Sequence, residues 1–268
     1  MSRDKKFDII PLKVGDIMFN FFAGENNRHA NNYIISGADY NHIKNVLRMN
    51  IGEKILVSEN GKSSLCEIKS FDRDFATVSI IEENYQDTSL PIKIYLFQGL
   101  PKSDKMELII QKAVELGADV VIPVEMSRCV VKLDDKKKKS KISRWQAIAE
   151  SAAKQSKRTI IPEIFDVLTF KQAIEKAKEL DLFIVPYENK EGMKATKDAL
   201  LQMKAGSSVG IFIGPEGGFE ESEIELATNS GGKTVSLGKR ILRTETAAIT
   251  SIAMCMLYAE MNINGEAE

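Results

Sequence analysis

The chain has 268 residues, 43% hydrophobic and 28% charged, with a formal net charge of -1. That is enough for one large or two modest domains with a packed core, and it argues against disorder. Cys66, Cys129 and Cys255 lie far apart without a Cys-x-x-Cys pair, and the only histidines are His29 and His42, which argues against a disulfide scaffold, a zinc site or a histidine metal centre. No apolar run approaches the ~20 residues that span a bilayer. Residues 1–17 lack a secretory apolar region. The expectation is a cytoplasmic protein.

Residues 1–17 read as an extension outside the core, because Met18-Phe19-Asn20-Phe21-Phe22 looks like the start of a domain. From Met18 to about Glu83 short apolar runs alternate with turns, at Asn32 to Ser36, Lys54 to Ser58, Leu65 to Phe71 and Phe75 to Glu82. Glu59-Asn60-Gly61-Lys62 is a hairpin signal, since Asn-Gly suits positive φ at the turn. Only Asp39 to Arg48 reads as a helix. Short strands at this spacing predict a small β-barrel over 18–88, and the polar stretch Asn84 to Pro91 marks the boundary with a second domain over 89–268.

From Ile92 the period changes. Strand Ile92 to Gln98 precedes helix Ser103 to Leu116, with Ser103 as cap and Gly117 as stop. Strand Val120 to Val124, a helix from about Ser140 to Ser156, strand-like Glu163 to Leu168 and helix Phe170 to Leu180 follow. Strand Leu182 to Val185, a weak helix around Ala195 to Met203, strand Val209 to Ile213, a helix start at Glu220 and strand Lys233 to Ser236 complete the series. The last helix, Thr246 to Met261, is apolar nearly all round and therefore buried in a core or subunit interface. Strands alternating with helices predict an α/β domain: a mostly parallel sheet with helices on both faces.

Two of these strands end in glycine loops, Gly214-Pro215-Glu216-Gly217-Gly218 and Leu237-Gly238, and each loop feeds a helix. Ligands of open α/β sheets sit outside such strand ends. The alternative is a pair of ordinary turns with glycine for geometry. The segment is neither a dinucleotide fingerprint nor a P-loop. Glu216, Glu220 and Glu221 beside it favour a ligand without phosphate. Between Lys132 and Arg158 there are ten Lys/Arg against three acids, a surplus that predicts a patch facing a polyanion, unless the lysines form a solvated loop. Trp145 reads as a core or interface anchor, and Met106, Met254 and Met256 as packing.

Five segments carry a resemblance: HIKNVLR (His42 to Arg48), KSDKMELIIQKAVELG (Lys102 to Gly117), ESAAKQSKRTIIP (Glu150 to Pro162), IGPEGGF (Ile213 to Phe219) and LGKRILRTETA (Leu237 to Ala247). Through them the chain, from Met18 to Tyr258, resembles the ribosomal RNA small subunit methyltransferase E family of SPOUT-class RNA methyltransferases. The resemblance implies a PUA-like N-terminal barrel that binds RNA, a C-terminal SPOUT domain with a deep trefoil knot, a homodimer and S-adenosylmethionine as cofactor. It implies methylation of N3 of one uridine in 16S ribosomal RNA, position 1498 in the customary numbering, within the small ribosomal subunit or a late precursor.

The resemblance also distributes roles. Pro186, Ile213, Gly214, Pro215, Glu216, Gly217, Gly218, Leu237, Gly238, Ile241, Leu242, Thr246 and Ala247 would bind the cofactor, with Tyr187 and Glu188 continuing the loop that begins at Pro186. Arg243 would stabilise charge developing on the uracil, because the imide N3 attacks only as its proton leaves. Glu245 would be a base, unless it only favours the helix N-terminus it occupies. Arg28, His42, Lys44, Arg48, Lys102, Gln155, Lys157 and Arg158 would contact RNA. The family's arginine before the Phe-Phe pair is Asn20 here, which removes one expected RNA contact. Two other readings stand beside this one: a non-catalytic ribosome-assembly factor that keeps the fold, and a SPOUT methyltransferase acting on transfer RNA. The intact loops favour an enzyme over the first, and the PUA-like start with the Gln155 to Pro162 segment opposes the second.

Overall fold

The structure is a computed structural model and describes residues 18–187 and 192–263. The expected extension over 1–17, and Glu188, lie outside the described residues.

The N-terminal half is one six-stranded sheet. Its strands are β1 (Asn20–Phe22), β2 (Arg28–His29), β3 (Asn32–Ser36), β4 (Lys54–Glu59), β5 (Lys62–Phe71) and β6 (Phe75–Gln86), in the order β1-β4-β5-β6-β3-β2. Only the β1–β4 pair is parallel. The Asn-Gly hairpin forms as expected: Glu59 pairs with Lys62 across the turn, with φ of 49° at Asn60 and 79° at Gly61. Alternate residues of these strands turn inward, so Phe21, Tyr33, Ile35, Ile55, Val57, Cys66, Ile68 and Val78 form one core. The helix expected over Asp39 to Arg48 is a short α1 (Gly37–Asn41) running into a π turn (His42–Val46).

The C-terminal half is a seven-stranded, wholly parallel sheet. Its strands are β7 (Lys93–Gly99), β8 (Val120–Glu125), β9 (Glu163–Ile164), β10 (Leu168–Thr169), β11 (Leu182–Pro186), β12 (Ser208–Ile213) and β13 (Lys233–Val235). The order is β10-β8-β7-β12-β11-β13, with β9 also on β8. Helices α2 (Lys105–Glu115), α3 (Asp135–Gln155), α4 (Phe170–Ala177), α5 (Met193–Leu200), α6 (Glu221–Asn229) and α7 (Thr244–Asn262) make the connections and the C-terminus. The central strands are nearly continuous runs of buried Val, Ile, Leu and Phe, as a sheet covered on both faces requires. Phe97 and Phe212 stack at 4.3 Å on neighbouring strands, and Phe170 and Phe183 close around Phe212.

Three local expectations differ. Ser103 does not cap α2: it sits at φ 57°, and Asp104 is the cap residue. Helix α3 begins at Asp135, because the Asp134 carboxylate accepts from the Lys137 N–H at 2.8 Å and so caps it. The lysine run is therefore the first turns of a helix, not a loop. Helix α7 begins at Thr244, two residues early, with Arg243 at the cap.

Candidate active site

Strands β12, β11 and β13 are neighbours, and the segments after their carboxyl ends line one cavity of about 920 Å³. Residues 213–219 come from the end of β12, Pro186 and Tyr187 from β11, and 235–244 from β13 and the segment leading into α7. This is the strand-end crevice where open α/β sheets bind ligands, at a volume typical of small-molecule sites.

Polar side chains hold the first and third of these segments, two of them buried threonines. The Thr244 hydroxyl donates to the Gly214 carbonyl at 2.7 Å and accepts from Gln98 Nε2 at 3.0 Å, so the start of α7 is tied beneath the first loop. The Thr196 hydroxyl donates to the Ser236 carbonyl at 2.7 Å and accepts its N–H at 3.0 Å, which fixes the start of the third segment. Arg128 straps the glycine loop from outside, with Nη1 on the Gly217 carbonyl at 3.0 Å and Nε on Glu220 at 2.8 Å. A Cβ on Gly217 would come within 2.9 Å of the Arg128 Cβ, and Gly218 sits at φ 69°, so both positions require glycine.

The charges differ from the expected acidic loop. Lys105 bridges Glu216 at 3.1 Å and Glu245 at 3.2 Å, and the Lys102 N–H donates to Glu216 at 3.1 Å. Burial pushes the Glu216 carboxyl up, but its own N–H, Lys105 and the Lys102 N–H outweigh this and hold it below its usual range. Hydrogen bonding to Glu216 raises Lys105, with burial opposing and Glu245 adding to the rise. Arg128 lowers Glu220 by hydrogen bond and charge. Glu216 and Glu220 are thus paired with cations, while Glu221 also lines the cavity. Among the described residues, Lys239, Arg240 and Arg243 line the cavity with no partner for their charged ends.

Of the expected cofactor residues, Pro186, Ile213 to Gly218, Leu237, Gly238, Ile241, Leu242 and Ala247 all line the cavity. Thr246 does not. Two positions after Thr244, it falls about 200° round α7 and is exposed. Thr244 holds the buried position instead, at 5% exposure. The Ile241 side chain is fully exposed, leaving its backbone to face the cavity. Arg243 lines the cavity, and Glu245 is engaged by Lys105.

The expected RNA residues do not form one group. Arg48, Lys102 and Gln155 are exposed, and exposed His42 packs edge-on against Phe21. Lys44 donates to the Tyr40 hydroxyl at 2.6 Å and lies over the Tyr40 and Phe71 rings. Arg28 is paired with Glu59 and Glu83. Lys157 sits at φ 57° beside Arg158. Arg158 is not at the surface: it is buried, donating to the Ala118 carbonyl at 2.6 Å and to Asp119 at 3.2 Å. The basic segment is partly neutralised as well, by Lys137–Asp134, Lys138–Glu125 and Arg144–Glu107 pairs. Lys105, Arg128, Gln98 and Thr244 were not foreseen as site residues. Lys105 and Thr244 lie inside segments that carry the resemblance, whereas no spacing in the sequence marks Arg128 or Gln98.

Known proteins resolve what the geometry leaves general. An RNA methyltransferase domain matches residues 88–256, and an RNA methyltransferase PUA domain matches residues 35–81. The ribosomal RNA small subunit methyltransferase E of Bacillus subtilis is 42% identical over 233 residues, 85% of this chain and 91% of that protein. The chain belongs to the ribosomal RNA small subunit methyltransferase E family. The Aquifex aeolicus member is 32% identical over 246 residues, 90% of this chain and 100% of its own length. The crystal structure of the Neisseria gonorrhoeae member bound to S-adenosyl methionine superposes with a TM-score of 0.77 at 31% identity, over 91% of this chain and 100% of that one. Family membership makes the chain an RNA methyltransferase with a PUA-like half and a parallel-sheet methyltransferase half. Among the described residues no helix is long and apolar enough to cross a membrane, and no cluster could hold a metal ion.

Proposed function

We propose that this protein methylates N3 of one uridine in 16S ribosomal RNA, the residue at position 1498 in the customary numbering, with S-adenosylmethionine bound at the three strand-end loops. The observation that carries this reading is the pairing of a backbone-lined cavity with an unpartnered Arg243 on its wall. The residues present fit the cofactor. The cavity can hold a ligand of that size, and its walls at 213–218 and 237–242 would offer main-chain N–H and C=O groups to an adenine edge. That group, when bound, supplies an electrophilic methyl.

The chain's own residues do the rest. The strapped glycine loop and the Thr244-tied segment hold the two walls in fixed register, which preserves the geometry of transfer. Arg243 faces the cavity from the cap of α7 and stabilises the charge that builds on a uracil oxygen as N3 loses its proton. The Glu245 carboxylate is already engaged by Lys105, so we assign it to positioning Lys105 and the first turn of α7.

The wider reading follows the family. The segment after β13 returns from the sheet edge and is tied under the β12 loop, which supports the expected knot. Exposed Leu257 and Met261 on α7 and Leu108 on the adjoining α2 support a homodimer through this face. We place the domain boundary at 88–89 and the protein in the cytoplasm, acting on the small ribosomal subunit or a late precursor. Mass mapping of small-subunit ribosomal RNA from cells with and without the protein tests the assignment. One 3-methyluridine should vanish with the protein, and an unchanged map refutes the specificity.

A further inference from the structure

The two halves of the chain meet at a junction that has nothing to do with the cofactor cavity. Asn20, on β1, is 3% exposed. Its Nδ2 donates to the Arg158 carbonyl at 2.9 Å, 138 residues away, and its Oδ1 accepts from the Ser58 hydroxyl at 3.0 Å. Ser58 is 1% exposed on the neighbouring strand β4. The Asn20 carboxamide is therefore fixed from the RNA-binding side and reaches across to the catalytic side.

What it grips is itself immobilised. The Arg158 guanidinium is buried and donates to the carbonyl of Ala118 and to Asp119, in the turn between α2 and β8. Asp119 accepts the Ile94 N–H at 2.8 Å at the start of β7. Burial pushes the Asp119 carboxyl up, with the Ile94 N–H and Arg158 opposing, and burial also lowers Arg158 against the pull of Asp119. A buried charge pair whose partners are satisfied is costly to break from one side, because the other charge is left buried and unpaired. Two further contacts flank it: Lys154 on α3 pairs with Asp39 on α1 at 2.7 Å, and the Thr88 hydroxyl donates to the Lys157 carbonyl at 3.2 Å.

A polar, buried, cross-domain bond is expensive to leave half-made and is satisfied in only one relative placement of the halves. Interfaces between domains of one chain permit motion by default unless something fixes them. We infer that Asn20, through Arg158, is a positioning residue: it locks the RNA-binding sheet at one angle to the methyltransferase half, so that RNA held by the sheet presents its target base to the cavity. This rests on the proposed function. It makes Asn20 and Arg158 determinants of substrate delivery and not RNA contacts.

The test uses the full-length protein and small ribosomal subunits lacking the methyl group. Asn20→Leu keeps the volume and removes both bonds. Asp39→Asn breaks the flanking ion pair at a more exposed site and removes a negative charge, so weaker electrostatic attraction to RNA cannot explain slower turnover. The expected result is a fall of about tenfold in kcat for Asn20→Leu and a smaller fall for Asp39→Asn. Affinities for S-adenosylmethionine by calorimetry, and for the subunits by equilibrium binding, should stay within about twofold of wild type. Unchanged turnover in both variants overturns the inference. So does a parallel loss of cofactor and subunit binding in Asn20→Leu with Asp39→Asn at wild-type turnover, which would mark Asn20 as a folding residue only. An inactive wild type run alongside would refute the proposed function, and this inference with it.

Discussion

Thr244→Val is the sharpest local test of how the cavity is built. The substitution keeps the shape of a side chain that is 5% exposed and removes its hydroxyl. The Gly214 carbonyl then loses a donor at 2.7 Å and Gln98 Nε2 an acceptor at 3.0 Å. Gln98 is fully buried and its Oε1 already has no partner, so the side chain has little room to find a substitute. Each buried group left unpaired costs about 1–3 kcal/mol, and with Gln98 Nε2 still bonded to the Gly99 carbonyl the sum is about 2–4 kcal/mol. For a chain of this length that is a drop of roughly 5–15 °C in Tm. Because the lost bond holds the cavity's own loop, affinity for S-adenosylmethionine should fall as well. Thr244→Ser keeps the hydroxyl and should cost only about 0.8 kcal/mol for the lost methyl. Thr246→Val, on the exposed side of α7, should stay within about 0.5 kcal/mol of wild type. Urea unfolding and calorimetric titration of the three variants read both effects. If Thr244→Val matches wild type while Thr246→Val loses cofactor affinity, the assignment of the two threonines is wrong.

Arg243→Ala should lower kcat by about 10²–10³ while cofactor affinity stays within about twofold, as for loss of a donor that acts on developing charge; single-turnover methylation with calorimetry checks the split. Gly99→Ala would place a Cβ 2.7 Å from Pro215 Cδ and 2.9 Å from Met126 Sδ, displacing the glycine loop from below. A stability loss of about 1–3 kcal/mol is expected, with weaker cofactor binding. Glu216 and Glu220 both titrate below their usual range, so the loop stability they supply is present above about pH 4.5 and is lost as pH falls through their lowered values. Cofactor affinity should accordingly be flat from pH 7 to about pH 5 and decline below about pH 4; a decline already complete at pH 5.5 would contradict the loop electrostatics.

The strand ends and glycine loops were legible because period and punctuation are local. An apolar run closed by Gly-Pro-Glu-Gly-Gly can be read without knowing its neighbours, and all of Ile213 to Gly218 does line the cavity. Side-chain assignments that depend on a helix boundary were not legible. The resemblance put Thr246 in the wall, but α7 begins at Thr244 with Arg243 at its cap, and it is Thr244 that is tied to the Gly214 carbonyl. Charge counts were incomplete for a related reason. Glu216 and Glu220 read as an acidic loop until Lys105 and Arg128 arrive from distant segments to pair with them. Arg158 and Asn20 show the same limit across domains. The sequence marks Arg158 as a basic residue near a proline, and only the tertiary fold turns it inward onto the Ala118 carbonyl.

The central claim is a reaction at one atom of one nucleotide. The most direct measurement incubates the purified protein with isotope-labelled S-adenosylmethionine and unmethylated small ribosomal subunits, then digests the RNA and resolves the nucleosides by mass. The account predicts label in 3-methyluridine from a single site, accumulating about 10²–10³ times more slowly when Arg243 is replaced by alanine. Label on a ribose oxygen or another base, or none with the wild-type protein, would contradict it.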